Sequence, residues 1–275
     1  MTFAAIGRKR RIYGVDFSGA KDAGRKIWIS EGLAEEGEFL LLDCYPIYEL
    51  VPGMSKERGI CISSLLNLII SDTRSVFGID SPFSLPDKLL SGKDWCSFVE
   101  DFPDNYSSPE DFRTAMRAIG GVNELKRLTD TEVKAPFSVY NLWVYKQTYY
   151  GIRDIVRPLL KAGDACILPM QEPLEDKPWL MEICPASTLK SEGLYMAYKG
   201  RSEKEKITRG YILEEMVNKC VTIPGHLKER MINNYDGDAL DSFIAAYATF
   251  RSLARIDDII GRLPDIYLRE GYTFF

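Results

Sequence analysis

Five carboxylates stand where chemistry could be done. Three of them close short apolar runs that read as strands: Asp16 ends "RIYGVD", Asp80 ends "VFGID" and Glu182 ends "WLME". Two more, Asp238 and Asp241, lie three residues apart in "DGDALDSF", at the start of an apolar helix. Parallel strands bring their carboxyl ends to one sheet edge, where ligands bind in open α/β sheets, so acids remote in sequence can converge there. The spacing of Asp238 and Asp241 puts both on one helix face near the positive end of the helix dipole. Acids gathered in this way repel one another unless a cation neutralises them. Hard oxygen donors without histidine or cysteine suit Mg2+ or Mn2+ rather than zinc.

Each acid also has an ordinary use. Asp16 can begin a turn with Ser18 and Gly19, or stand in a phosphate-binding loop, "GVDFSGAK". Asp80 precedes Ser81 and Pro82, where an Asx turn is common, and Glu182 suits a structural ion pair. Asp238 can cap its helix by accepting from the amide of residue 241, leaving Asp241 as a first-turn acid. Lys21, just after "DFSGA", is either a phosphate-binding cation or a solvated loop residue. His226 is the single histidine and lies in "IPGHLKER", which argues against histidine-based general base chemistry.

The elements that must position these residues are legible in outline. Residues 11–16, "KIWISEGL" and "EFLLLDCYPIY" read as three strands of an antiparallel meander. Residues 55–72 have helical spacing with Ser55 as N-cap, and "SVFGIDSPFSLP" follows as a buried strand stopped by Pro82. Strand, crossover helix and strand make a parallel β-α-β unit. Residues 92–137 are irregular, with no strand signal, and read as a helical insertion. A long helix over 139–161, strands at "ACILPM" and "WLMEIC", a helical stretch over 186–222 broken near Gly193 and Gly200, and a helix over 238–256 complete the chain. No repeat or linker divides it, so a single domain over 1–275 with that insertion is expected.

Composition narrows the function classes. A chain of 275 residues with 45% hydrophobic content can bury a large core. No apolar run approaches the roughly 18–20 residues of a membrane span, and the first residues do not read as a secretory signal, so a cytoplasmic location is expected. The six cysteines are scattered singly, which suggests neither a zinc cluster nor a disulfide framework. A net charge of −5 argues against nucleic-acid binding through charge alone. A local basic groove is conceivable from Arg8 to Arg11, from Lys204, Lys206 and Arg209, or from Lys146, Arg153, Arg157 and Lys161; each can equally be a solvated face.

The segments "YGVDFSGA", "GIDSPFSLP", "MEICPAST", "DGDALDSFIAAYA" and "LREGYTFF" resemble, in order, the motifs of the DUF429 family, predicted nucleases of the ribonuclease H-like superfamily. The resemblance spans roughly residues 11–275. It implies an α/β ribonuclease H-like fold, a mixed five-stranded sheet with the second strand antiparallel, flanked by helices. It also implies divalent metals held by an acid on the first strand, one on the fourth and one or two on the last helix. Asp16 and Asp80 match the strand acids; Asp238 and Asp241 are similar to the last-helix acids of Holliday-junction resolvases; Glu182 matches a family-specific acid. The family's R-x-T-D pattern falls on Arg127 and Asp130.

A metal-dependent nuclease acting on RNA or DNA is therefore the expected function. Two ions about 3.5–4 Å apart would activate water and stabilise the leaving oxygen, with Asp16 bridging and Asp80 and Asp241 each holding one. Two competitors remain. Actin-like and sugar-kinase ATPases share the superfamily fold, but "SPFSLP" lacks the amides of a second phosphate loop and "DGDALDSF" lacks a glycine run. A non-catalytic binding protein on the same fold suits the acidic balance.

Overall fold

The computed structural model describes residues 10–35, 37–121 and 123–275. Strand β1 (Arg11–Asp16) is central, because its aliphatic and aromatic side chains are buried on both faces. It pairs antiparallel with β2 (Trp28–Glu35) on one side and parallel with β4 (Val76–Asp80) on the other. β3 (Glu38–Pro46) continues the meander beyond β2, and β6 (Trp179–Ile183) lies parallel beyond β4. Three short strands extend this sheet: β5 (Cys166–Leu168) and β8 (Thr273–Phe274) pair with β6, and β7 (Val221–Thr222) pairs with β3. The protein is thus α/β with a mixed eight-stranded sheet, ordered β5-β6-β4-β1-β2-β3-β7 with β8 on β6. The sheet has eight strands where five are expected: β5 falls on the strand read at "ACILPM", and β7 and β8, of two residues each, are too short to announce themselves by periodicity.

Side chains alternate across the sheet and divide the core in two. Ile12, Val76, Met181 and Ile183 face the helix Asp238–Leu253 and its neighbours; Tyr13, Val15, Phe77, Ile79 and Leu180 face the helices of residues 58–71 and 95–162. The helix Asp238–Leu253 runs against β1 and β4 at close range. A Cβ at Gly14 would collide with backbone atoms of Ser242 and Ala246, and one at Gly78 with the Thr249 hydroxyl. Those two glycines therefore set how near the last long helix comes to the sheet.

Several local expectations shift. The helix predicted over 55–72 is Arg58–Ser71, and its cap is Glu57, whose carboxylate accepts from the amides of Gly59 and Ile60 at 2.8 and 3.0 Å; Ser55 lies outside it. The helix predicted over 139–161 begins only at Tyr145, with a π-wound stretch Gly151–Val156 before Arg157–Ala162. The stretch 186–222 splits into Pro185–Ser191, Glu203–Val217 and β7. Residues 92–137 contain short helices and no strand among the described residues. No helix among the described residues is long and apolar enough to cross a membrane.

Candidate active site

Asp16 and Asp80 are paired in register at the carboxyl ends of adjacent parallel strands. Paired residues of parallel strands point to the same face, so both side chains meet the helix Asp238–Leu253. That helix starts from Gly237, whose φ of +84° places it in the left-handed region that favours glycine. Asp238 is therefore the first helical residue and not the cap, and the amide of Asp241 donates to the carbonyl of Gly237 at 2.9 Å. The turn after β1 is closed by Ser18, whose hydroxyl accepts from the Ala20 amide at 3.3 Å, with Asp16 outside it. The turn after β4 is closed from Ser81 N–H to Ile79 C=O at 2.9 Å.

The aspartates are near enough to perturb one another electrostatically. Burial raises the Asp16 carboxyl well above the usual range, and Asp241, Asp238 and Asp80 push it further. Burial and Asp241 bring Asp80 up to about 8. Asp238 is pushed up to about 6, by burial first, although Lys26 and Lys199 pull it down. Asp238 Oδ2 is buried with no hydrogen-bond partner.

Two lysines that no motif announced compensate this charge. The Lys199 ammonium is 2.5 Å from Asp241 Oδ2, and Lys26 lies 2.6 Å from Asp236 and 3.7 Å from Asp238. Burial works against the Lys199 charge, but Asp241 and Asp16 outweigh it and hold its pKa above that of an ordinary lysine. Tyr198 donates to Asp241 Oδ1 at 2.6 Å. Arg209, expected on a basic face, is buried and clamps this segment, donating to the carbonyls of Tyr198 and Gly200 at 2.6 and 3.1 Å. Lys21 is exposed and makes no ion pair among the described residues. Tyr198 and Lys199 lie between two helices, where neither periodicity nor spacing marks them.

Glu182 is placed elsewhere. It is in register with Ile79, so it points to the opposite face from Asp80. Its carboxylate accepts from Arg127 Nη1 and Nη2 at 2.8 and 2.5 Å, from the Phe83 amide at 2.8 Å and from the Thr273 hydroxyl at 2.8 Å. Arg127 also bonds Asp130 at 2.8 Å, so the R-x-T-D pair and Glu182 form one satisfied, buried ionic network.

Several residues of the other basic stretches are occupied, while Lys161, Lys204 and Lys206 are exposed. Arg10 stacks on Trp179, Arg11 pairs with Glu31, Lys146 with Glu110 and Arg153 with Asp154, while Arg157 donates to the Glu100 carbonyl. Arg8 and Lys9 lie outside the described residues.

The donor chemistry of Asp16, Asp80, Asp238 and Asp241 suits a hard divalent cation, and Asp238 Oδ2 has no competing hydrogen bond. The spacing does not: among the described residues no three acidic, histidine or cysteine side chains are gathered so that they could hold a metal ion. The set as arranged is compensated in part by lysines and does not fit a bound metal. In comparisons with family models, curated proteins and solved structures, the chain matches none.

Proposed function

We propose that this protein is a phosphodiester hydrolase of the ribonuclease H-like kind, a nuclease of the DUF429 type that requires Mg2+ or Mn2+. The observation that carries the proposal is the register of Asp16 with Asp80 at the centre of the sheet, faced by Asp238 and Asp241 across two glycines. The strand order β3-β2-β1-β4-β6, with β2 alone running against the others, supports the fold assignment. Burial and mutual repulsion hold Asp16 and Asp80 towards their protonated forms, and ionising both would set four carboxylates against two lysines, a charge that a divalent cation would offset. A divalent cation is therefore part of the proposal, on donor chemistry alone.

A cleavage panel of single-stranded, duplex and branched RNA and DNA with Mn2+ tests it. Activity should be lost in Asp16→Asn and Asp241→Asn, each shown to be folded. Wild-type protein inert across the panel with either ion would refute it. That outcome would favour a second reading, a non-catalytic binding protein, for which the neutralising ion pairs of Lys199 and Lys26 speak.

A further inference from the structure

A cavity of about 420 Å³ opens directly beside Asp80, Asp241 and Lys199, within the roughly 300–1,000 Å³ of small-ligand sites. It is lined by the segment of residues 135–139 and by that of residues 195–199. Lys190 ties the two sides together, donating to the Lys134 carbonyl at 2.7 Å while its ammonium sits 4.9 Å from the Tyr195 ring. The floor is the Arg127–Asp130–Glu182 network, whose charges satisfy one another and so offer a ligand no unpaired ion. The walls are apolar and aromatic. Phe137, Tyr195 and Met196 stay 41%, 51% and 39% exposed at the mouth, a cost in apolar hydration that the fold does not relieve. Apolar walls, a floor whose ionic groups are hydrogen-bonded to one another and the Lys199 ammonium at the edge nearest the aspartates describe the complement of a flat, uncharged ring carrying an anionic group.

We propose that this cavity seats the nucleobase adjoining the phosphate that reaches the aspartates, so that the substrate is a single strand or a strand end. The inference rests on the hydrolase reading for its choice of ligand. A base stacked within a duplex cannot enter a walled cavity without leaving its stack, whereas an unpaired base stacks on aromatic side chains in a sequence-tolerant way. Lys199 lines the cavity together with Asp80 and Asp241, where the phosphate of such a nucleotide would meet it.

The test is equilibrium binding of adenosine 5′-monophosphate and of ribose 5-phosphate in EDTA, where no metal-dependent step contributes. The base-bearing ligand should bind at least tenfold more tightly. Ala197→Trp, at an exposed position of the lining, should fill the cavity and remove that preference while the melting temperature stays unchanged. Met196→Glu, also exposed, should weaken binding tenfold by placing an anion at the mouth. Equal affinity for the two ligands, or full nucleotide affinity in a folded Ala197→Trp, would overturn the proposal. Nucleotide binding without cleavage of any nucleic acid would leave the cavity assignment standing and remove the hydrolase reading. Cleavage of duplex and single strands at equal rates, with no preference for the base, would do the reverse.

Discussion

Asp80→Asn should make the protein more stable and inactive, and the gain should depend on pH. Asp80 titrates near pH 8 in the folded chain against an ordinary value of 3.8, first because it is buried and then because Asp241 is near. A raised folded-state pKa means that the folded state holds the proton more tightly than the unfolded chain. The stability this provides is fully present below about pH 4 and is lost as pH climbs towards 8. Each pH unit inside that window removes about 1.4 kcal/mol for a carboxyl titrating alone, so about 4 kcal/mol is the ceiling at pH 7. Asp16 and Asp241 repel Asp80 and share the cost, and they relax only in part when it is neutralised. A gain of roughly 1–2 kcal/mol is therefore expected from the single variant, or about 2–8 °C in melting temperature. Thermal unfolding of both proteins across pH 4–8 provides the assay. The difference should be near zero at pH 4 and should grow to its full size by pH 8. A difference that is flat with pH, or a variant less stable than wild type at pH 8, would show that Asp80 is not held against its charge.

Other perturbations separate packing from charge. In Gly14→Ala the new Cβ would stand 2.8 Å from Ala246 Cα, where ordinary contact is 3.4–4 Å, so the helix Asp238–Leu253 must retreat. Chemical denaturation should show a loss of about 1–3 kcal/mol, and a variant as stable as wild type would mean that the glycine does not set this distance. Arg127→Ala leaves Asp130 and Glu182 unpaired in the core and should cost about 3–5 kcal/mol; a loss below 1 kcal/mol would contradict the buried network. Lys199→Ala removes a compensating charge from Asp241, so the melting temperature should fall at pH 8 and a millimolar excess of Mn2+ should raise it more than in wild type. An identical manganese response in the two proteins would show that the lysine and the ion do not compete.

Much of the fold is written in local pattern. The apolar runs in "RIYGVD" and "VFGID" make β1 and β4, the two further apolar runs at β2 and β3 make the meander, and the apolar run after "DGDALD" makes the helix that covers them. The placement of Asp16 and Asp80 at neighbouring strand ends and of Asp238 and Asp241 at a helix start is legible for the same reason: strand ends and a helix start have fixed positions once the layer order is known. Tertiary structure alone decided the rest. Glu182 ends a strand like the other two acids, yet its register with Ile79 turns it to the opposite face, onto Arg127. A one-residue register difference inverts a side chain, and register depends on the neighbouring strand rather than on the strand's own sequence. The charges that meet the aspartates come from Lys26 and from Lys199, the latter held in an irregular segment by Arg209 and Tyr198. Local sequence sets which carboxylates reach the sheet edge, but long-range packing sets which cations reach them, because an irregular segment has no period and is placed only by what it touches.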